Sequence, residues 1–384
     1  MMQYREIGKT GKQASIIGLG CEHLDGKPYA QIKETIDAAL AGGVNILDIF
    51  MPGQEIRGHI AKALGSKRHE VMIQGHFGST EVNQKYDISR DMPSVQKYFE
   101  DMLRIFDGYI EFGMFFFLDT EKDYQSVFET EFADYAARLK AQGSIGHIGF
   151  SSHHPGIARK VIETGLAELM MFSINPAFDM LAYDDYIIRH MENGVVAADL
   201  KGIDPTRASL YRLCEQKQIG VTVMKTLGAG KLLSAEHSPF ASPLSVSQCI
   251  HYALSRPAVA SALVGCKTQA EVATALAYLD QDEAQRDYAE VLGSVRSSFR
   301  GACVYCSHCQ PCPMEIDIAA VNKYLDIARL DTASIPPSVR NGYDALSNGA
   351  DRCSSCGSCE SRCPFGVPVI ENMANAAELF TRTV

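Results

Sequence analysis

The sequence predicts an α/β protein: a (β/α)8 (TIM) barrel over residues 1–285, followed by a smaller, mainly helical, cysteine-rich domain over residues 286–384. Two observations support this prediction. Short apolar runs alternate with amphipathic segments from residue 14 to residue 278, and eight of the twelve cysteines lie between residues 303 and 363. A chain of 384 residues is also long enough for two domains of ordinary size.

Eight predicted strands alternate strictly with eight predicted helices, which is typical of a closed parallel barrel. The predicted strands are residues 15–19, 44–47, 71–74, 109–116, 147–150, 170–173, 220–224 and 262–264. The predicted helices are residues 29–41, 54–64, 92–106, 124–141, 156–164, 205–217, 244–255 and 269–279. A doubly wound sheet is the alternative. It is weakened because Gly18-Leu19-Gly20 continues as Cys-Glu-His and lacks the last glycine of a dinucleotide-binding turn.

The cysteine-rich domain contains two runs in which three cysteines stand at every third position and a fourth follows before a proline. The runs are Cys303, Cys306, Cys309 and Cys312, then Cys353, Cys356, Cys359 and Cys363. Such runs bind [4Fe–4S] clusters, each of which needs four thiolates. Zinc prefers paired C-x2-C knuckles separated by a longer stretch, and disulfides suit secreted chains. The spacing therefore predicts two [4Fe–4S] clusters and one-electron chemistry.

The two runs resemble those of two-cluster ferredoxins, in which the last cysteine of each run ligates the cluster of the other run. The resemblance implies a ferredoxin-like domain with crossed ligation. Cys363 then completes one set of ligands and Cys312 completes the other. One departure is that two residues, rather than three, precede Cys312 within its run.

Segments spread along the first part of the chain resemble the aldo-keto reductases. They are YREIGKTG at 4–11 with IGLG at 17–20, GGVNILD at 42–48, GHIGFSSH at 146–153, MKTLGAGK at 224–231 and LVGCKT at 263–268. With its cysteine runs, the chain is similar to the branch of that family that carries two clusters. The resemblance implies a barrel whose chemistry lies at the C-terminal ends of the strands, with a nicotinamide as hydride donor.

The resemblance places the catalytic Asp, Tyr, Lys and His of the family at Asp48, Gly53, His76 and Phe116. Only the aspartate is kept. In the family the tyrosine protonates the carbonyl oxygen and the lysine lowers the pKa of that tyrosine. A chain without both lacks the acid that stabilises the developing oxyanion. We therefore expect a non-standard active site in which Asp48 and His76 are the candidate catalytic residues.

The nicotinamide site implied by the resemblance is only partly kept. Ser151-Ser152 stands where the family has Ser-Asn, and Met171 stands where it has Gln. Glu271 occupies a position where an arginine often reads the adenosine phosphate. The sequence thus supports NAD(P)H less strongly than it supports the clusters. The candidate cofactor-binding residues are Ser151, Ser152, Lys225, Gly228, Gly230 and Lys267, and the two glycines can admit a pyrophosphate close to backbone amides.

Further polar residues follow the predicted strands and are expected to converge on the barrel mouth. They are Cys21, Glu22, His23, Asp119, His153, His154 and Asn175. Histidines and carboxylates can transfer protons near neutral pH or hold a divalent metal. Some of these side chains can equally be plain pocket or loop residues.

The net charge of −10 argues against a nucleic-acid partner, and no apolar run is long enough to span a bilayer. We expect a cytoplasmic enzyme that acts on a small-molecule substrate, with a ferredoxin or flavodoxin-type protein as electron carrier. Two alternatives stay open at this point. One is a non-catalytic barrel scaffold joined to an electron-transfer module, and the other is a metal-dependent lyase or hydrolase.

Overall fold

The computed structural model describes residues 1–83, 85–183, 187, 190, 194–200, 202–293, 301–333 and 335–380. The strands are β1 (Tyr4–Glu6), β2 (Gln13–Ser15), β3 (Ile17–Gly20), β4 (Ile46–Ile49), β5 (Met72–Phe77), β6 (Ser79–Val82), β7 (Lys85–Ile88), β8 (Ile110–Phe115), β9 (Ile145–Ser152), β10 (Leu169–Ser173), β11 (Gly220–Met224) and β12 (Val259–Gly265). Eight of them close a parallel barrel in the order β10-β11-β12-β3-β4-β5-β8-β9. The predicted barrel is therefore confirmed, and the doubly wound alternative is wrong.

The barrel strands are buried on both faces, which explains why they appear in the sequence as nearly continuous apolar runs. Side chains such as Ile46, Met72, Phe112 and Leu169 fill the interior, while a larger apolar layer lies between the strands and the helices. Because all the strands are parallel, their C-terminal ends form one rim. We call this rim the mouth.

The α-helices associated with the barrel are Tyr29–Ala41, Gln54–Leu64, Met92–Ile105, Glu121–Phe128, Glu131–Ala141, Pro155–Glu163, Pro176–Asp179, Pro205–Lys217, Val246–Leu254 and Gln269–Leu276. Short 3₁₀ turns occupy Glu22–Leu24, Gly65–Glu70, Ala197–Asp199, Gly228–Leu233 and Ala277–Asp280. The single helix predicted over 124–141 is wrong, because two helices meet there. The Thr130 side chain accepts a hydrogen bond from the amide of Phe132 and caps the second helix.

Two antiparallel hairpins supplement the barrel. The β1–β2 hairpin precedes the first barrel strand, in agreement with the resemblance noted above. The β6–β7 hairpin follows β5 directly and therefore lies on the mouth side. The Ser79 hydroxyl donates to the carbonyl of Phe50, which ties this second hairpin to the loop after β4. The sequence analysis did not predict the β6–β7 hairpin.

The C-terminal part of the chain is mainly helical, as predicted. Its helices are Glu283–Arg286, Ala289–Gly293, Ile318–Ala328, Pro337–Asp344, Ser358–Arg362 and Val369–Leu379, with a 3₁₀ turn at Ala350–Arg352. Asn372 donates to Asn322 across 2.8 Å and joins two of these helices in the interior. Among the described residues, no helix combines the length and apolar character needed to cross a bilayer.

Candidate active site and cysteine cavities

Asp48 and His76 form a buried pair at the mouth. They lie near the ends of the neighbouring strands β4 and β5, whose register places Asp48 beside Gln74. The Nε2 atom of His76 is 2.7 Å from Oδ1 of Asp48, and Gln74 donates to the same oxygen across 3.1 Å. The His76 ring is almost fully buried, and its Nδ1 atom has no hydrogen-bond partner in the described part of the chain.

Aromatic rings cover this pair. Phe116 meets the His76 ring edge-on at 5.2 Å, and Phe50 stacks on Phe116 at 5.5 Å. Tyr86 of the β6–β7 hairpin contacts Phe50 at 5.5 Å and has more than half of its surface exposed. The His76 imidazole therefore lies against a cluster of aromatic rings. Neither Phe50 nor Tyr86 carried a sequence signal, because their role depends on how the hairpin folds back.

Asp119 and His153 form a second buried pair at the mouth. The Nδ1 atom of His153 lies 2.9 Å from Oδ2 of Asp119, and the His153 amide donates to Oδ1 across 2.6 Å. The Ser152 hydroxyl donates to the same Oδ1 atom at 3.2 Å. Burial alone would raise the pKa of Asp119, but the charge and hydrogen bonds of His153 outweigh burial and hold that pKa below its ordinary value. Asp119 is therefore ionised at neutral pH.

The predicted nicotinamide-binding residues already have partners within the fold. The Ser151 hydroxyl accepts from the amide of Phe117, and Ser152 is bonded to Asp119. The amides of Gly228 and Gly230 donate to the carbonyls of Lys225 and Leu227 inside their own turn. These hydrogen bonds leave neither serine hydroxyl nor either glycine amide unpaired.

The two predicted lysines lie on different parts of the rim. Lys225 has its Nζ atom 3.6 Å from a Glu22 carboxylate oxygen. Lys267 is exposed, and its amide donates to the carboxylate of Glu271 across 2.5 Å. The Glu271 carboxylate therefore accepts from the backbone at the start of the helix that follows β12.

The remaining predicted mouth residues mostly shape local structure. His154 accepts through Nδ1 from the amide of Ile157 and caps a helix. Asn175 caps another helix and donates to the carbonyl of Lys225. The His23 ring packs against Gly265 so closely that a Cβ atom there would lie 2.7 Å from it. Among the described residues, no group of three or more His, Cys, Asp or Glu side chains is arranged around a single metal ion.

The eight cysteines surround two neighbouring cavities in two sets of four. The inner cavity is lined by Cys303, Cys306, Cys309 and Cys363. The outer cavity is lined by Cys312, Cys353, Cys356 and Cys359. Each set takes its last member from the other run, which is the grouping that the resemblance to two-cluster ferredoxins implies. Ile318 and Val369 line both cavities, so a single layer of side chains separates them.

The two cavities offer different environments to a thiol. Burial raises the pKa of Cys306 and Cys309 in the inner cavity to about 12. In the outer cavity, a hydrogen bond with the Ser358 hydroxyl lowers the pKa of the exposed Cys356. Four thiols in an apolar lining fit a [4Fe–4S] cluster, because a cluster binds the thiolates and displaces their protons.

The barrel, its polar mouth and the cysteine cavities define an α/β-barrel protein joined to a cysteine-rich module. A model described as Aldo/keto reductase family matches residues 16–245, and one described as 4Fe-4S dicluster domain matches residues 301–367. The chain belongs to the aldo/keto reductase family and carries a C-terminal 4Fe-4S dicluster domain. This combination supports an iron–sulfur oxidoreductase. No curated protein matches the chain.

Solved structures support the same fold. The aldo-keto reductase AKR11C1 from Bacillus halodurans, in its holo form, is 16% identical with a TM-score of 0.57, and the match covers 78% of this chain and 97% of that one. A protein from Pseudomonas aeruginosa named for the same family is 17% identical with a TM-score of 0.53, covering 72% of this chain and 96% of that one. At these identities the likeness concerns the fold alone.

Proposed function

We propose that the protein is an oxidoreductase in which two [4Fe–4S] clusters deliver single electrons to a barrel site that differs from the family's usual one. The arrangement of the eight cysteines around two adjoining cavities carries this proposal. Cys303, Cys306, Cys309 and Cys363 hold the cluster of the inner cavity, and the other four cysteines hold the cluster of the outer cavity. Bound clusters supply one-electron transfer, in place of the hydride that a nicotinamide supplies.

The protein's own residues supply protons in this proposal. Asp48 holds Nε2 of His76, so Nδ1 is the atom that accepts or releases a proton. With a carbonyl or another conjugated acceptor, two electrons and two protons together reduce one double bond. His76 supplies one of these protons, and solvent at the mouth supplies the other.

A ferredoxin or flavodoxin-type carrier is the proposed electron source. Cys356 of the outer cavity is exposed, whereas Val304 and Tyr305, beside the inner cavity, are buried. Electrons therefore enter at the outer cavity and proceed inward. The hydrogen bonds of Ser152, Gly228 and Gly230 within the fold, and Glu271 on the amide of Lys267, disfavour NAD(P)H as the donor.

A second candidate is a barrel that relays electrons without transforming a substrate. One observation favours it: His76 is only 1% exposed beneath Phe116. Access to the imidazole then requires the aromatic cover to move. This candidate predicts clusters that are reduced and oxidised normally, with no turnover of any small acceptor.

Cysteine substitutions test the cluster assignment. We expect Cys306→Ser and Cys356→Ser each to lose about half of the bound iron, because each removes one ligand from a different cluster. Cys214→Ser is the matched control, since Cys214 is a buried barrel cysteine away from both cavities. Iron analysis of anaerobically purified protein checks the result. Full iron content in both cavity variants would contradict the assignment.

A reductant titration tests the electron source and the enzyme assignment. Reduced methyl viologen is expected to bleach the visible cluster absorbance, whereas NADH and NADPH are expected to leave it unchanged. Viologen oxidation is then followed with a panel of carbonyl and conjugated acceptors. Turnover with any of them supports an enzyme. Normal bleaching without turnover across the panel supports the second candidate, and bleaching by NADPH would restore the nicotinamide to the proposal.

A further inference from the structure

We infer that a line of mostly buried side chains conducts electrons from the inner cavity to the mouth. This inference rests on the proposed function, because it needs a cluster in the inner cavity. The line consists of Tyr288, Arg256, Tyr252, Asp179, Arg207, His153, Phe117 and Phe116, which we call the conducting path. It runs through the layer between the helices and the strands rather than through solvent.

The path begins at the loop that carries the first cysteine run. Tyr288 donates to the carbonyl of Val304 across 2.8 Å, and Arg256 donates to the same carbonyl. Val304 follows Cys303 in the chain, lines the inner cavity with it and is buried. The Arg256 guanidinium also lies 5.1 Å from the Tyr305 ring. The barrel therefore contacts the loop that carries the first cysteine run through the buried residues Tyr288, Arg256 and Val304.

The middle of the path consists of tyrosine, arginine and one carboxylate. The rings of Tyr288 and Tyr252 are 5.2 Å apart, and Arg256 lies 4.4 Å above the Tyr252 ring. Tyr252 donates to Asp179 across 2.9 Å, and Arg207 donates to the other oxygen of Asp179 across 3.0 Å. Each of these side chains is at most 4% exposed.

The path ends at the candidate active site. Arg207 donates to the carbonyl of His153 across 3.4 Å, and the Phe117 ring lies 5.0 Å from the His153 ring. Phe117 contacts Phe116 at 6.0 Å, and Phe116 contacts His76 at 5.2 Å. Every step between Val304 and His76 is thus a hydrogen bond or a ring contact.

The physical reason for a path is that electrons tunnel faster through bonded and hydrogen-bonded groups than across gaps. With a reduced cluster in the inner cavity, the path would carry one electron to an acceptor at the mouth, and no residue on the path would itself be oxidised. A reduced ferredoxin-type donor restores the electron at the outer cluster. A kinetic measurement distinguishes a conducting path from simple packing contacts.

Flash-induced electron transfer provides that test on iron-replete protein. A Lys85→Cys change on the exposed β7 strand carries a ruthenium photosensitiser to the mouth side, and cluster bleaching after a flash gives the rate. In the parent protein we expect a fast phase of cluster bleaching, which is electron transfer along the path. Tyr252→Leu is expected to abolish this phase, and Tyr252→Phe, which lacks only the hydrogen bond to Asp179, is expected to slow it. Tyr135→Leu is the control, because Tyr135 is also a buried tyrosine but lies in helix Glu131–Ala141, away from the path.

Equal rates in Tyr252→Leu and Tyr135→Leu, or no transfer in the parent protein, would overturn the path. Iron content and cluster reduction potentials are measured on the same samples, and Tyr252→Phe keeps the ring in case the leucine variant fails to fold. Viologen turnover separates this inference from the proposed function. If the parent protein turns over an acceptor and the Tyr252 variants keep the parent's flash-induced rate, only the conducting path is ruled out. A lost fast phase without turnover in the parent removes only the enzyme assignment.

Discussion

The mouth holds two histidine–carboxylate pairs that look alike in sequence and differ in structure. Asp48 and His76 are joined at 2.7 Å, and Asp119 and His153 at 2.9 Å. Asp119 also accepts from the His153 amide and from Ser152, while Arg207 donates to the His153 carbonyl. In the second pair, both the Asp119 carboxylate and the His153 carbonyl therefore make hydrogen bonds beyond the contact between the two side chains. In the first pair, the further hydrogen bond of the carboxylate comes from the Gln74 side chain on the next strand.

The two pairs also differ in which ring nitrogen of the histidine contacts the carboxylate. In Asp119–His153, the hydrogen bonds fix the loop that follows β8, and the histidine uses Nδ1 to do so. In Asp48–His76, the bonded atom is Nε2, and Nδ1 is left without a partner among the described residues. Each histidine is thus bonded to its carboxylate through one ring nitrogen, and the pairs differ in the remaining hydrogen bonds of the carboxylate. Asp119 also accepts from the His153 amide and the Ser152 hydroxyl, whereas Asp48 also accepts from the Gln74 side chain.

The largest expected effect is on stability at the second pair. Asp119→Asn removes a buried charge while keeping the shape, so His153 loses its carboxylate partner. We expect the free energy of unfolding to fall by about 3–5 kcal/mol. Urea unfolding followed by circular dichroism measures it. Asp48→Asn is the matched control and is expected to cost less, because Asp48 makes fewer hydrogen bonds to the backbone. Equal losses would remove the distinction between the pairs.

The next effect is on turnover at the first pair. Gln in place of His76 can still bond to Asp48 but cannot exchange a proton. We expect His76→Gln to lower viologen-linked turnover by about 100-fold or more while leaving the urea midpoint near that of the parent. The same change at His153 is expected to lower the midpoint clearly. A His76→Gln protein with full turnover would place the proton chemistry elsewhere.

The smallest effect separates two adjacent serines. Ser152→Ala removes one hydrogen bond to Asp119 and is expected to cost about 1 kcal/mol. Ser151→Ala removes the acceptor of the partly buried Phe117 amide and is expected to cost about 1–3 kcal/mol, because that donor is left unsatisfied. The difference between the two urea midpoints checks the order. A reversed order would mean that the Ser152–Asp119 hydrogen bond contributes more to stability than the bond that holds the Phe117 amide, whose residue has left-handed backbone angles.

The sequence predicts the barrel and the cysteine sets because both depend on local spacing. Alternating apolar and amphipathic segments define strands and helices, and cysteines at every third position define ligand loops. The Asp48–His76 contact also follows from the sequence, since neighbouring parallel strands place their ends together. By contrast, Asp119 and His153 were only candidate mouth residues. Their pairing depends on the turn at Phe117, which has a φ of 58° and no sequence signature.

The β6–β7 hairpin and the split of the helix predicted over 124–141 were not predicted, for related physical reasons. The hairpin strands are short and half exposed, so they lack the apolar pattern that marks a barrel strand. The break depends on one capping threonine, Thr130, inside an otherwise amphipathic stretch. The conducting path left no pattern at all, because its members come from distant segments and meet only in the folded chain.

The bonds from Tyr288 and Arg256 to the carbonyl of Val304 bear on how the chain can be divided. A barrel cut away from the cysteine-rich module would lose this acceptor, although Arg256 would keep its hydrogen bonds to Tyr252, Ser255 and Tyr288. Joining this module to another barrel would leave the same carbonyl unmatched. The barrel and the cysteine-rich domain have separate sequence signatures but share this contact. Moving either domain into another protein therefore requires keeping both Val304 and its two donors, Tyr288 and Arg256.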